Sequence, residues 1–169
     1  ASKGVRLLSL RKPTSQVNTG WGGRSSRAVD GNTDGRYGRR SCTHTHRRRH
    51  AWWRVDLRHT YAIQRVVVYN RRDCCASRLN NFEVRVNNHR CGVVHRAHAV
   101  NTVNCRNRRG RYVKVQKRDT NYLTLCEVKV YGSSSKLRVS AKRRASKGVR
   151  LLSLRKPTSQ VNTGWGGRS

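Results

Sequence analysis

The first 25 residues, ASKGVRLLSLRKPTSQVNTGWGGRS, recur letter for letter at 145–169. The period, 145 − 1 = 144 residues, is the size of one compact domain. The chain therefore reads as one complete unit followed by the opening of a second copy. Gly132–Arg144 (GSSSKLRVSAKRR) has linker composition, which predicts a domain at 1–131, a linker at 132–144 and the truncated repeat at 145–169. The chain carries no signal peptide and no Met, and reads as a mature product or a fragment.

Inside that unit the patterning is that of strands. Short Val-rich alternating stretches occur at Ala51–Leu57, Ala62–Tyr69, Phe82–Val86, Tyr112–Gln116 and Leu123–Tyr131. Turn-forming clusters such as Asp30–Gly35 (DGNTDG) and Asn87–Asn88 separate them, and no stretch has convincing helical periodicity. Many short strands with turn-rich connections predict an all-β sandwich or jelly roll. No apolar run is long enough to span a bilayer.

Six cysteines (Cys42, Cys74, Cys75, Cys91, Cys105, Cys126) point to an oxidising, extracellular setting and three disulfides. Zinc is the competing reading, but no C-x-x-C occurs and adjacent Cys74 and Cys75 suit a tetrahedral site badly. His44, His46 and His50 lack a neighbouring Cys or acid to complete a metal set. Lys and Arg number 39 against 7 acids, a formal charge of +32. Such a field attracts polyanions of every kind, so charge alone identifies no partner. It does define an alternative function: salt-sensitive binding of heparin-like or sulfated glycan, or of nucleic acid, through the basic surface. No recognisable nucleic-acid-binding motif supports a specific nucleic-acid partner.

The chemistry concentrates in Asn70–Leu79, NRRDCCASRL. Asp73, between Arg71 and Arg78, can pin both guanidinium groups by charge-assisted hydrogen bonds. Each Arg then offers a planar fork of donors suited to two neighbouring sugar hydroxyls. A disulfide between adjacent Cys74 and Cys75 would force a tight turn and present an apolar sulfur surface. The plain alternative is a surface ion pair beside a structural turn.

His44 stands in SCTHTH, with 26 residues between it and Arg71, followed by R-x-D-x-x-x-x-R at Arg71, Asp73 and Arg78. This pattern resembles the sugar-binding signature of the F-type lectin (fucolectin) family. AVDGNTDG (28–35), WWRVDL (52–57), RLNNFEVRV (78–86), GRYVKV (110–115) and YLTLCEVKVY (122–131) fall in register with it, so the resemblance covers nearly all of 1–131. It implies a disulfide-stapled β-sandwich of the galactose-binding, discoidin-like kind. It implies His44, Arg71 and Arg78 as a triad for terminal L-fucose, with Asp73 holding the arginines. Cys74–Cys75 would lie against the sugar ring, Tyr37 near its methyl group and, more loosely, Trp21 in the loop that varies specificity. Cys42–Cys126 and Cys91–Cys105 are the remaining implied disulfides. The resemblance further implies a Ca²⁺ held by side chains of Asp30, Asn32, Ser41 and Glu127 and main-chain oxygens of Arg27 and Cys126. Hard Ca²⁺ favours such an oxygen set.

Arg72 departs from the family's usual Gly, and Arg39, Arg40 and Arg47–Arg49 crowd the expected site with positive charge. Sulfated or acidic fucosylated glycans are therefore expected partners as well. A glycosidase needs two carboxylates around the scissile bond. Only Asp30, Asp34, Asp56, Asp73, Glu83, Asp119 and Glu127 are acidic, most of them already assigned, so no enzyme is expected. The expectation is a secreted lectin in glycan recognition and defence, working as an oligomer or tandem-domain chain.

Overall fold

The computed structural model describes residues 4–134; the repeat at 145–169 lies outside the described residues. Its strands are β1 (Arg6–Leu7), β2 (Thr14–Gln16), β3 (Arg48–Arg49), β4 (Trp52–Tyr69), β5 (Phe82–Val86), β6 (His89–Val94), β7 (Val100–Lys117), β8 (Thr120–Asn121) and β9 (Glu127–Ser134). Short 3-10 helices occupy Ser25–Val29, Tyr37–Arg39 and Ala76–Leu79.

Two long strands, β4 and β7, build both layers of the sandwich. They pair antiparallel along their whole length, Trp52–Asp56 against Gln116–Tyr112 and Tyr61–Tyr69 against Gly110–Val100. The first half of β4 and the second half of β7 carry β2 and then β5 and β6. The other halves carry β9 and β1. Every pairing is antiparallel. The two stretches expected as separate strands, 51–57 and 62–69, are thus one element bent through 58–61. Arg58 takes φ 72° at the bend, and Arg106 and Asn107 take φ 52° and 62° on β7. A non-glycine residue in this left-handed region marks a local break in regular strand geometry.

The core follows the alternation read from sequence, with one phase change. Trp53, Val55 and Leu57 point inward from the first half of β4, and Val66 and Val68 from the second. Odd positions become even because β4 holds an extra residue between Ile63 and Arg65 relative to β9. Such a bulge moves the inward set by one residue. Phe82, Val84, Val86, Val113, Val115, Val128 and Val130 complete the same cluster. Burying a Val, Leu or Phe side chain contributes about 1.5–3 kcal/mol each, so this cluster holds the layers together. Two differences from the sequence reading concern edges. β9 starts at Glu127, because Leu123–Leu125 instead bonds to Thr43–Thr45. It also runs to Ser134, three residues past the expected boundary at 131, because Gly132–Ser134 pair with Ile63–Tyr61. β6 carries no strong pattern (HRCGVV) and was not expected from sequence.

Three disulfides form as the resemblance implied: Cys42–Cys126, Cys74–Cys75 and Cys91–Cys105. The first closes a separation of 84 residues and the third one of 14. Chain entropy assigns them about 4–5 and about 3 kcal/mol respectively. The double variant C42A/C126A is therefore expected to lose more unfolding free energy in urea than C91A/C105A. Equal losses, or the reverse order, would contradict the entropic account.

Candidate functional site

Three loops converge where β4 ends. Asn70, buried directly after β4, organises the first of them. Its Nδ2 donates to Ala76 O (3.0 Å), its Oδ1 accepts from Arg71 N (2.8 Å), and its own N–H donates to Ala99 O (2.9 Å). The 71–76 turn is thereby fixed to the sheet, with Cys75 at φ 62° beside its disulfide partner Cys74. Arg78 follows on the 3-10 helix 76–79, anchored by buried Leu79.

His44 comes from a second segment. Thr43 and Thr45 on either side donate their N–H groups to Leu125 O and Leu123 O, and their hydroxyls accept from Leu125 N and Leu123 N. This tether leaves the His44 side chain on the opposite face. The third loop, Gly20–Gly23, packs against it: His44 N donates to Gly23 O (2.9 Å) and Gly20 N to His44 O (2.9 Å). A Cβ on Gly23 would come within 2.5 Å of His44 N, so only glycine permits this approach.

Together these loops enclose a cavity of about 290 Å³ lined by Trp21, Tyr37, His44, Arg71, Cys74, Cys75, Arg78 and Tyr122. Nδ1 of His44 lies 2.7 Å from Thr45 O, and a carbonyl can only accept, so Nδ1 donates. Burial, together with the positive charge of Arg71 and Arg78, pushes the His44 pKa below the ordinary value of 6.5. At neutral pH the imidazole is uncharged and Nε2 is an acceptor. Arg71 forms a two-point pair with Asp73, at 2.6 and 3.3 Å, and its guanidinium carbon lies 4.9 Å from the Tyr37 ring centroid. That pairing holds the Asp73 carboxyl below the usual range. Asp73 also accepts from Tyr37 N (3.3 Å), and Tyr37 Oη donates to Trp21 O (2.6 Å).

The structure corrects one expectation here. Among the described residues Asp73 pairs with Arg71 alone. Arg78 instead lies over Tyr122, 4.4 Å from its ring centroid, so an aromatic face orients it. Tyr122 was not among the residues singled out from sequence. Its signal is spatial, because the 123–125 ladder to Thr43–Thr45 carries it to the rim. Trp21, expected only loosely, lies 4.5 Å from His44 between ring centroids and stays 64% exposed.

The residues implied for calcium lie in the two segments next to the Cys42–Cys126 bridge, 27–41 and 126–127. Glu127 is buried, its Oε2 accepts from Gly31 N (2.7 Å), and its Oε1 has no protein partner. Burial, reinforced by the nearby Asp30 carboxylate, pushes the Glu127 pKa up to about 8. Arg27 and Asp30 lie on and just after the 3-10 helix 25–29. Asp30 Oδ1 accepts from Asn32 N, and Asn32 Oδ1 accepts from Asp34 N, both at 2.9 Å. The Ser41 hydroxyl is buried next to Cys42 and donates to Asp34 O (2.6 Å).

A family model described as a NedA-like, galactose-binding domain matches residues 27–115. A fucolectin of Anguilla anguilla is 36% identical over 118 residues, covering 63% of this chain and 75% of that protein. A pentraxin fusion protein of Xenopus laevis is 37% identical over 119 residues, 63% of this chain but 29% of its own length. Among solved structures, an F-lectin from striped bass (Morone saxatilis) serum superimposes with a TM-score of 0.71 at 36% identity, covering 76% of this chain and 47% of that one. The lectin domain of lectinolysin, complexed with Lewis B antigen, gives 0.69 at 38% identity, covering 75% and 96%. The chain thus spans less than half of the bass lectin and less than a third of the pentraxin fusion protein. On the shared galactose-binding fold and the identity across it, the chain belongs to the F-type lectin (fucolectin) family.

Proposed function

We propose that residues 4–134 form a lectin domain that binds terminal L-fucose in the cavity around His44, as a calcium-dependent module without catalysis. The observation that carries this reading is the pairing of one acceptor with two donor forks in a single cavity. His44 Nε2 is left free by the Thr45 bond, while Arg71 and Arg78 line the same space. A pyranose edge presents hydroxyls and a ring oxygen that such a set can bind simultaneously. The Cys74–Cys75 sulfurs and the rings of Tyr37, Tyr122 and Trp21 supply apolar surface for the methyl-bearing face of the sugar. Relatives named fucolectins, and a lectin domain complexed with Lewis B antigen, support the same assignment. The fucolectins among the relatives are lectins by name, which supports binding rather than turnover. Their serum origin in the bass supports secretion.

Calcium fits the second cluster. A buried carboxylate oxygen without a partner, facing a second carboxylate, requires either a proton or a cation. Asp30, Asn32, Ser41 and Glu127, with main-chain oxygens of Arg27 and Cys126, would supply the oxygen set. Bound there, the ion would neutralise the carboxylates and tie loop 30–41 to β9.

His44 gives the proposal a test in solution. Trp21 stands at the rim, so its fluorescence is expected to change on L-fucose binding. Neutral His44 accepts a sugar hydroxyl, and protonation removes that acceptor. Because the pKa is lowered, affinity should hold from pH 8 to about 6.5 and then weaken as pH falls through the depressed value. His44→Gln should bind weakly at every pH, without this fall. Affinity that rises on acidification would contradict the role given to Nε2.

A further inference from the structure

A second concave site lies on the outer face of the layer formed by β2, the first half of β4, the second half of β7, β5 and β6. It is lined by Arg54, Asn87, Asn88, Arg111, Tyr112 and Lys114, encloses about 410 Å³, and shares no residue with the cavity around His44. The strand register makes this face unusual. Arg54 pairs with Lys114, Lys114 with Arg85, and Arg85 with Arg90, so one cross-strand row is cationic over four adjacent strands. The neighbouring Val55, Val113, Val115, Val84 and Val86 face the core, which fixes the row on the solvent side. Like charges directly opposite one another destabilise a sheet, so cross-strand pairing along the row does not itself stabilise the fold; Lys114 Nζ lies 5.8 Å from the Trp52 ring centroid on the same face.

Carboxylates offset only part of it. Glu83 serves Arg85, Arg90 and Arg118 together, and Asp56 serves Arg111. Arg54 and Lys114 have no carboxylate partner among the described residues, and both border the concavity. Arg54 and Arg111 lie over the Tyr112 ring, 4.7 and 5.2 Å from its centroid. Asn87 Oδ1 is occupied by Arg111 N and Tyr112 N, leaving its amide N–H₂ group as a donor toward the site.

We infer that this face is a second glycan site, binding a sulfated or uronate-bearing saccharide through Arg54 and Lys114, independently of the fucose cavity. The chemistry favours an anionic sugar over single-stranded nucleic acid. Base recognition requires an open aromatic face for stacking. Tyr112, the one ring lining this concavity, already carries two guanidinium groups. What remains is a line of cations with amide donors, which matches charged and hydroxyl groups alternating along a flat chain.

The test is titration of the full chain with a size-defined heparin tetrasaccharide over a range of NaCl concentrations, with L-fucose titrated in parallel. Arg54→Gln with Lys114→Gln is expected to weaken heparin binding at least tenfold and to lower the slope of log K against log[NaCl] by about two. Fucose affinity should be unchanged, which also reports that the variant is folded. A control pair of equal charge loss, Arg108→Gln with Arg109→Gln, should cost less than threefold. Equal losses for the two pairs would overturn the site in favour of diffuse charge. A single-stranded oligonucleotide of matched charge that binds as tightly as the tetrasaccharide, with the same loss, would overturn the choice of glycan. As a second readout on the unmutated chain, amide resonances of Asn87, Asn88 and Arg111 should shift with the tetrasaccharide while those of His44 and Arg71 stay in place. The opposite pattern would place heparin in the fucose cavity and refute the inference.

Discussion

Arg71→Ala is expected to weaken L-fucose binding by about 100-fold or more while leaving the melting temperature within a few degrees of the parent. A hydrogen bond to a charged group contributes about 1.5–3 kcal/mol, and a fork supplies two. Their joint loss therefore reaches at least two decades in affinity. The substitution also leaves Asp73 without its ion-pair partner, with the Tyr37 N–H as its remaining contact. Arg71→Lys keeps the charge but not the fork, and should recover only part of the loss. Stability should change little because the Arg71–Asp73 pair is partly solvated, and such pairs contribute about 0–1 kcal/mol. Titration calorimetry and a thermal scan on the same samples separate the two effects. A comparable loss of folding would mean that Arg71 holds the 70–79 turn rather than the sugar.

Loss of the proposed calcium is the second large effect expected. Chelation at pH 7.5 is expected to lower the melting temperature by roughly 10 °C, the equivalent of a ligand present at about 100 times its dissociation constant. The pH dependence follows from Glu127. Its folded pKa, about 8, lies above the ordinary 4.5, so the cation-free fold holds a proton there that the unfolded chain releases. That contribution is fully present below pH 4.5 and is lost as pH rises toward 8. A calcium ion bound at the proposed site would take over from the proton, so the gap between calcium-loaded and chelated protein should widen from pH 5.5 to pH 8. Glu127→Gln should reduce the gap at every pH. A gap that narrows with rising pH would contradict a site centred on Asp30 and Glu127.

Much of this organisation was legible from sequence, for identifiable reasons. Alternation in WWRVDL and FEVRV survives in the fold because one face of each strand meets a dense core. The union of 51–57 and 62–69 into one strand was not legible. Arg58 in a left-handed conformation and a bulge before Arg65 leave no mark in a period-two pattern. His44, Arg71 and Arg78 were legible because their spacing resembles a known signature. Their physical supports were less so. Asp73 restrains one arginine, and the other is held by Tyr122, which only the pairing of 123–125 with 43–45 brings near. The cationic row Arg54–Lys114–Arg85–Arg90 was hidden for the same reason. Four residues spread over 61 positions of a basic sequence, from Arg54 to Lys114, become one line only when register is known.

Selection of fucose by the cavity around His44 is expected to rest on geometry rather than on charge. Its most direct test is titration calorimetry of the full chain with L-fucose and D-galactose in about 0.5 M NaCl, where electrostatic reach shrinks to a few ångströms. Saturable heat with L-fucose, none with D-galactose, and loss of the signal in His44→Ala is the expected result. No fucose signal at that salt, from folded and calcium-loaded protein, would contradict it.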